Sequence, residues 1–298
     1  MAANVQQHIP IIKVNASSSV ITADDLAIEE PLEIRLEYGA EHQRHIQNIS
    51  VTMRTPGHDA ELAKGFLFTE GIIKNADDIA ATAHCFIACG ENKENVIQVT
   101  LNPDVVPNLQ NAERNFYTTS SCGVCGKGSI DAIRTVSSFA GRLEDEDTVL
   151  TDVLYQLPVI LQRHQRVFAD TGGLHASALF TTQGELLLLR EDVGRHNALD
   201  KLIGAALGYG WLPLHQTVLL LSGRASFELV QKAAMAGINI IAAVGAPSSL
   251  AVQLAEEFSI TLIGFLRDER FNIYTAAHRV LLPGNRVVDS SRITVENI

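Results

Sequence analysis

Two cysteines separated by two residues, Cys122 and Cys125, are the part of this sequence best suited to chemistry. The surrounding segment reads Ser-Ser-Cys-Gly-Val-Cys-Gly-Lys-Gly-Ser, and its glycines allow the backbone to expose both sulfur atoms. Lys127 and a predicted helix start near Ser129 favour the thiolate over the thiol, and the thiolate is the reactive form. The pair is therefore predicted to be chemically reactive.

Three kinds of site are compatible with this spacing. A thioredoxin-like redox pair is one, although the strand–helix–strand surroundings of that motif are absent directly upstream. A structural zinc site is the second, because Cys85 and Cys89 could complete a set of four thiolates. A sulfur carrier is the third: one thiol holds a persulfide and its neighbour displaces the outer sulfur. For Cys85 and Cys89 themselves, core packing is the favoured interpretation.

Two loops of small residues at predicted strand ends indicate an anion site. Ser222-Gly223-Arg224 precedes one predicted helix, and Gly245-Ala246-Pro247-Ser248 precedes the next. Ligands of open α/β sheets bind outside the carboxyl ends of the strands, where helix N-termini offer free N–H groups. A phosphate group is the expected ligand, and ordinary loop and cap chemistry is the alternative.

Two charged segments are further candidates for ligand binding. The segment 191–197 reads Glu-Asp-Val-Gly-Arg-His-Asn, in which His196 can exchange a proton near neutral pH and Asp192 or Asn197 can instead cap a helix. The other segment directly follows a predicted strand and consists of Phe265, Leu266, Arg267, Asp268, Glu269 and Arg270. Its two arginines could clamp phosphates, or could simply pair with the adjacent acids.

Charge and hydrophobicity narrow the class of protein. The 298 residues include 23 basic and 34 acidic side chains, a formal net charge of −11, which argues against nucleic acid as the main partner. Hydrophobic residues make up 46%, as in a chain that buries a large core. The two long uncharged stretches, 202–223 and 233–255, are interrupted by glycine and proline, so no membrane span is predicted. No secretory signal is visible, and a cytoplasmic location with reduced thiols is expected.

The patterning predicts two architectures along the chain. Alternating residues predict strands around 32–36 and 49–53 as a hairpin, followed by a helix over 59–69 and a strand over 96–101. From residue 217 onward, strands alternate with helices, which is typical of a parallel sheet. The predicted elements of this part are strands at 217–221, 238–244 and 261–265, and helices at 226–236 and 249–257. In the preceding segment, two strands are predicted over 176–190 and a helix over 197–207.

The expected fold class is therefore α/β, with a small N-terminal α+β unit followed by a three-layer α/β domain. The predicted boundaries are a loosely ordered N-terminus over 1–25, an α+β domain over 26–145 that ends with the cysteine loop and its helix, and an α/β domain over 146–298.

Several motifs together resemble the formate dehydrogenase accessory sulfurtransferases, the FdhD/NarQ family. The likeness covers about residues 30 to 285, and its specificity comes from the joint occurrence of the motifs in this order. Besides the cysteine loop and the segments at 191–197 and 222–224, they include Thr55-Pro56-Gly57-His58-Asp59 and Gly172-Gly173-Leu174-His175.

The resemblance implies a cytoplasmic carrier that receives sulfur from a cysteine desulfurase. It implies that the sulfur passes to the molybdenum cofactor, as bis(molybdopterin guanine dinucleotide), before formate dehydrogenase takes up that cofactor. Cys122 would then bear the persulfide with Cys125 as its partner, and 265–270 would contact the cofactor, which a guanine nucleotide such as GDP would mimic. A homodimer is also implied.

The resemblance further implies a C-terminal part similar in fold to cytidine deaminases. Zinc deaminases use H-x-E followed by P-C-x-x-C, with the Glu moving protons. Here Ser177 stands where that Glu would be, and the two cysteines precede His175 rather than follow it. Deaminase chemistry is therefore not expected, even on a shared scaffold.

Two other classes of function stay open at this point. One is a zinc-stabilised, non-enzymatic adaptor of formate dehydrogenase, which metal analysis would identify. The other is a guanine-nucleotide-binding regulator whose cysteines sense redox state, which would bind nucleotide without delivering sulfur.

Overall fold

A computed structural model describes residues 4–85, 95–109, 139, 147–284 and 286–287. By its internal contacts the chain divides into two compact units. The first unit comprises 1–135, 165–176 and 190–210, and the second comprises 136–164, 177–189 and 211–298. Each unit combines segments that are separated in the sequence, whereas the domains predicted from the sequence are consecutive segments. The predicted domain boundaries stay a prediction.

A four-stranded sheet forms the core of the first unit, in the order β4-β3-β6-β5. Its strands are β3 (Glu30–Tyr38), β4 (His45–Arg54), β5 (Ile79–His84) and β6 (Val96–Leu101). The alternation noted in the sequence places Leu32, Ile34 and Leu36 fully inside, while the intervening charged residues stay partly exposed. The predicted hairpin is confirmed, because β3 pairs antiparallel with β4.

Two helices cross closely in the first unit. They are α1 (Asp59–Thr69), which agrees with the predicted helix, and α4 (Arg195–Gly208). Gly65 and Gly204 lie at the crossing, where a Cβ atom on either residue would overlap a backbone carbonyl of the facing helix. Glycine is therefore required at both positions, and the crossing fixes α4 against the residues that follow β4.

The N-terminus differs from the expectation of a loosely ordered segment. Residues 6–27 form an antiparallel hairpin of β1 (Gln6–Val14) and β2 (Ser19–Ala27). Most of its side chains are exposed, including Ile12 and Ile21. The hairpin therefore lacks the buried, alternating face by which a strand is recognised in a sequence.

A six-stranded mixed sheet in the order β13-β12-β11-β10-β8-β9 forms the core of the second unit, except that residues 175–176 of β8 and 190–192 of β9 are grouped with the first unit. Its strands are β8 (His175–Thr181), β9 (Leu186–Asp192), β10 (Thr217–Leu221), β11 (Ile240–Ala243), β12 (Thr261–Arg267) and β13 (Arg270–Thr275). The central strands β10, β11 and β12 are parallel, as predicted, whereas β8 and β13 pair antiparallel with β10 and β12.

The helices between these strands also agree with the sequence pattern. α5 (Phe227–Met235) connects β10 to β11, and α6 (Ser249–Glu257) connects β11 to β12. The mixed α/β class is confirmed, while the likeness to the cytidine deaminase fold stays a prediction.

The remaining described elements were not predicted. They are the helices α2 (Thr151–His164) and α3 (Arg166–Thr171), and the short strands β7 (Val149–Leu150), β14 (Val280–Leu282) and β15 (Arg286–Val287). None of the helices in the described ranges combines the length and the apolar character that crossing a bilayer demands.

Candidate functional site

Three loops meet at the carboxyl ends of the parallel strands of the second unit. The backbone N–H of Gly245, after β11, donates to the carbonyl of Gly223, after β10, at 3.0 Å. The N–H of Phe265, in β12, donates in turn to the carbonyl of Gly245 at 3.1 Å. A chain of backbone hydrogen bonds thus connects the three segments that the sequence analysis selected separately.

Gly245 is tightly enclosed at the centre of this arrangement. A Cβ atom there would lie 3.0 Å from Cγ of Arg224 and 3.1 Å from its backbone nitrogen. Contacts this short force a neighbour to move, so glycine allows the close approach of the two loops. The side chain of Arg224 is exposed, so its guanidinium group is accessible to an anion.

The segment 265–270 departs from regular strand geometry. The register of β12 against β13 shifts between Gly264 and Arg267, and Phe265 has a φ of 56°. Exposure nevertheless alternates at this end of the strand, so that Phe265 is exposed while Leu266 is fully buried. The side chain of Leu266 is therefore part of the core, and it can meet a ligand only through its backbone.

A tight turn completes this segment. Asp268 and Glu269 have φ of 51° and 56°, as in a two-residue hairpin turn of type I′, and they bring Arg267 opposite Arg270. All four side chains are exposed. The turn therefore presents two guanidinium groups and two carboxylates at the end of the sheet, and the arginines remain candidates for binding phosphate.

Asp192 is an internal anchor of the first unit. It is fully buried, and its carboxylate lies 2.7 Å from Nζ of Lys201. It also accepts hydrogen bonds from the N–H groups of Thr55 and Gly194 and from the amide of Asn197, at 3.2, 2.8 and 3.1 Å. Burial raises the pKa of Asp192, and Lys201 with these donors opposes that change. Neither Asp192 nor Asn197 is the cap of α4, because the N-cap is Gly194, which has no side chain to make a capping bond. The capping prediction for these two residues is therefore wrong.

Glu191 has a similar local role. Its carboxylate accepts the N–H groups of Val167 and Phe168, at 3.3 and 3.0 Å, at the start of α3. Burial raises the pKa of Glu191, and the two N–H donors partly offset this effect. The acidic residues at 191 and 192 therefore hold backbone in place rather than present a free carboxylate.

Cationic and imidazole groups gather at the start of α4. Burial lowers the pKa of His175, and the charges of Arg195 and His196 lower it further, while Asp192 acts in the opposite sense. His196 belongs to the first unit, whereas Ser222, Gly223 and Arg224 belong to the second. The proposed role of His196 in binding cofactor stays a prediction.

Two ion-pair networks of the first unit are not apparent from the sequence. Arg54, only 1% exposed, holds Asp59 through two hydrogen bonds of 3.0 Å and also reaches Glu30 and Asn95. Asp59 is only five residues from Arg54. Glu30 and Asn95 are 24 and 41 residues away, so spacing gives no signal for the network as a whole. The one available signal was an arginine at the end of a half-buried strand.

The second network joins α1 to β9. Arg190 donates two hydrogen bonds to the carboxylate of Glu61, and Nδ1 of His58 lies 3.1 Å from the same carboxylate. Burial alone would raise the pKa of Glu61, but the hydrogen bonds from Arg190 and His58 outweigh burial and lower that pKa to about 2. Glu61 is therefore ionised throughout the physiological range.

The reactive cysteines predicted from the sequence, Cys122 and Cys125, lie outside the described residues, as does Cys89. Cys85 is half-buried and its Sγ donates to Oε1 of Gln98 at 3.5 Å. Within the described ranges no group of three or more metal-ligating side chains occurs. The packing interpretation of Cys85 and Cys89 stays a prediction.

Comparison with known proteins places the chain among its relatives. The model of the FdhD/NarQ family matches residues 27–281. A protein of Mycolicibacterium paratuberculosis named Sulfur carrier protein FdhD is 52% identical over 273 residues, covering 91% of this chain and 97% of that one. The protein of the same name from Sulfurisphaera tokodaii is 42% identical over 275 residues, covering 92% and 99% of the two chains.

A solved structure shares the fold. It is a crystal structure from Desulfotalea psychrophila, described as that of a formate dehydrogenase accessory protein, with a TM-score of 0.70 and 23% identity. The likeness covers 93% of this chain and all of that one. The family match and the identities agree, and the chain therefore belongs to the FdhD/NarQ family.

Proposed function

We propose that this protein is a sulfur carrier for formate dehydrogenase. In this proposal it accepts sulfur from a cysteine desulfurase as a persulfide on Cys122 and passes it to the molybdenum cofactor, bis(molybdopterin guanine dinucleotide), before that cofactor enters the dehydrogenase. The observation that carries the proposal is the 52% identity, over nearly the whole of both chains, to a protein named as a sulfur carrier.

The loading step is a thiol exchange without net oxidation. The Cys122 thiolate attacks the outer sulfur of the desulfurase persulfide, a new S–S bond forms on Cys122, and the desulfurase cysteine leaves as a thiolate. Lys127 beside the cysteines favours the attacking thiolate. The sulfur arrives in the sulfane state and stays in that state on the carrier.

Release of the outer sulfur as hydrosulfide is a two-electron reduction, and the thiolate of Cys125 supplies the electron pair. The Cys125 thiolate attacks the inner sulfur of the persulfide, so that a Cys122–Cys125 disulfide forms and the outer sulfur leaves as hydrosulfide to bind molybdenum. A dithiol reductant then restores both thiols. Cys125 is thus needed for release of the sulfur but not for its acceptance.

The cofactor, as cargo, is proposed to dock where the loops of the second unit meet. Its phosphates would face Ser222, Gly223 and Arg224 and the arginines of the 265–270 turn, since paired guanidinium groups suit phosphate oxygens. The backbone bonds that connect Gly223, Gly245 and Phe265 support this proposal. GDP is the expected mimic of one end of the cofactor, and a homodimer would offer a matching pair of sites.

Mass spectrometry after incubation with a cysteine desulfurase and cysteine tests the loading step. The wild-type protein should gain the mass of a sulfur atom on the peptide containing Cys122, and Cys122→Ala should gain none. Cys85→Ala is the matched control and should load as the wild type does. Loading of Cys122→Ala at the wild-type level would overturn the assignment of the persulfide to this residue.

A further inference from the structure

The edge strand β13 presents a row of three side chains to solvent. Arg270, Asn272 and Tyr274 are exposed, and they alternate with residues that face the protein. Tyr274 is 37% exposed. On the inner side, the ring of Phe271 packs against Tyr155 of α2, with ring centroids 5.6 Å apart. The strand is therefore held from its inner face, and the outer aromatic ring is not needed to hold it.

The register of the sheet places this row beside the meeting point of the loops. Asn272 pairs with Gly264 of β12, so both residues lie on the same face. Tyr274 lies at a register shift and pairs with no residue of β12, so its position is given by its contacts. A Cβ atom on Gly264 would lie 2.8 Å from Cδ of Pro247 and 3.0 Å from Cε2 of Tyr274.

The ring of Tyr274 consequently lies over Gly264, next to the loop that contains Pro247. The carbonyl of Gly245, which accepts the hydrogen bond from Phe265, is 3.3 Å from the same Cβ position on Gly264. Because Gly264 has no side chain, the tyrosine ring can approach the loop this closely. An exposed ring is thus fixed against the site proposed to hold the cofactor.

The chemistry of the row suits one end of a nucleotide. An exposed aromatic ring offers a π-face to a planar base, an amide offers both a donor and an acceptor to the edge of a base, and an arginine suits phosphate. We propose that Tyr274 stacks on the guanine base of a guanine nucleoside diphosphate, with Asn272 reading its edge. This inference rests on the proposed function, because it assigns two residues of β13 to the same ligand.

Binding of GDP, ADP and inorganic diphosphate, measured by calorimetry, tests the proposal. Tyr274→Ile removes the ring but keeps a strand-forming residue, and it should weaken GDP binding about tenfold or more. Tyr274→Phe keeps the ring and should bind GDP within about twofold of the wild type. Diphosphate, which has no base, should bind the Tyr274→Ile variant as it binds the wild type.

Asn272→Leu should reduce the preference for GDP over ADP. Phe168→Leu is the matched control, since Phe168 is also 37% exposed and lies on α3, and it should leave every affinity unchanged. Circular dichroism and the melting temperature show whether each variant is folded. Because Asn272→Leu is measured by the preference for GDP over ADP, the test of the site does not depend on the Tyr274 substitutions alone.

Wild-type GDP affinity in a folded Tyr274→Ile variant would overturn the inference. The proposed function would still stand in that case if the protein accepts sulfur on Cys122, since loading is measured separately. Equal loss of GDP and diphosphate binding would also overturn it, because the ring would then act on the loops and not on the base. A wild-type protein that binds no GDP would overturn the inference together with the proposed docking site.

Discussion

The backbone N–H of Phe265 donates to the carbonyl of Gly245 at 3.1 Å. Gly245 in turn donates to Gly223, so main-chain bonds connect β12 to the loops that follow β11 and β10. Main-chain geometry is less sensitive to side-chain identity than a salt bridge would be. The position of the loops therefore depends on whether the backbones can approach each other, and Gly245 is the residue that allows this.

Gly245→Ala is expected to disturb the site directly. Its added methyl group would lie 3.0 Å from Cγ of Arg224, and such crowding costs about 1–3 kcal/mol of the free energy of unfolding. GDP binding should weaken at the same time. Gly208→Ala, at the end of α4 with nothing within 4 Å of its Cβ position, should leave GDP binding unchanged and raise the free energy of unfolding by up to about 1 kcal/mol. Urea unfolding and calorimetry measure both, and equal behaviour of the two variants would contradict the role of Gly245.

The buried pair of Asp192 and Lys201 predicts a large asymmetry between two substitutions. Asp192→Asn leaves the ammonium group of Lys201, which is 1% exposed, without its carboxylate, at a cost of about 3–5 kcal/mol. Asp25→Asn removes one side of the exposed pair with His8 and should cost under about 1 kcal/mol. Urea unfolding of the two variants checks this. Similar losses in both would show that burial of the first pair does not determine its contribution.

The lowered pKa of Glu61 predicts how the free energy of unfolding changes with pH under acidic conditions. The pKa of Glu61 is lowered to about 2 in the folded protein from 4.5, so its contribution is complete above about pH 4.5 and is lost as the pH falls towards 2. The shift corresponds to an upper bound of about 3 kcal/mol. Glu61→Gln should therefore be less stable at neutral pH, and its stability should fall less steeply over this window.

The matched control for this prediction is Glu33→Gln, which removes a carboxylate from the partly exposed pair with Arg35. Its stability profile should follow that of the wild type. Chemical unfolding at a series of pH values gives all three profiles. If the profile of Glu61→Gln ran parallel to the wild-type curve between pH 4.5 and 2, the assignment of the loss of stability in acid to Glu61 would be wrong.

Ser177 predicts a substitution that stabilises the protein. It is 1% exposed, and among the described residues its Oγ has no hydrogen-bond partner. Ser177→Ala removes a buried hydroxyl that has lost its water, and should raise the free energy of unfolding by about 1 kcal/mol. Ser248→Ala should do the opposite, since the Ser248 hydroxyl accepts the N–H of Ala251 as the cap of α6. Loss of stability in Ser177→Ala would reveal a partner for that hydroxyl.

Much of the second unit was predictable because its strands and helices are bounded by local signals. A continuous apolar run ended by Ser222-Gly223 predicts β10, and serine followed by an amphipathic stretch predicts α6. The convergence of the loops then follows from the rule that parallel strands end at one edge of the sheet. The exposed face of β13 was missed because nothing in its sequence shows which strand it pairs with.

The first unit was predictable in its elements but not in its interior. The alternation in β3 and the acidic start of α1 are local, whereas the pairing of Asp192 with Lys201 depends on how β9 and α4 pack. The motif at 191–197 therefore looked like a ligand site, and the structure shows that Asp192 supports the backbone. For the cysteines, the spacing of Cys122 and Cys125 predicts reactivity, and the family supplies the expected direction of sulfur transfer.

Transfer of labelled sulfur from the loaded carrier to the molybdenum cofactor tests the central claim most directly. Carrier loaded with radioactive sulfur on Cys122 is freed of desulfurase and mixed with the cofactor in a single round without any added thiol, because an added thiol would itself cleave the persulfide. The label is then followed into formate dehydrogenase. The account predicts that label reaches the cofactor with formate dehydrogenase activity, and that Cys125→Ala loads but releases its sulfur slowly. Label that stays on the loaded wild-type carrier while the dehydrogenase nevertheless becomes active would contradict it.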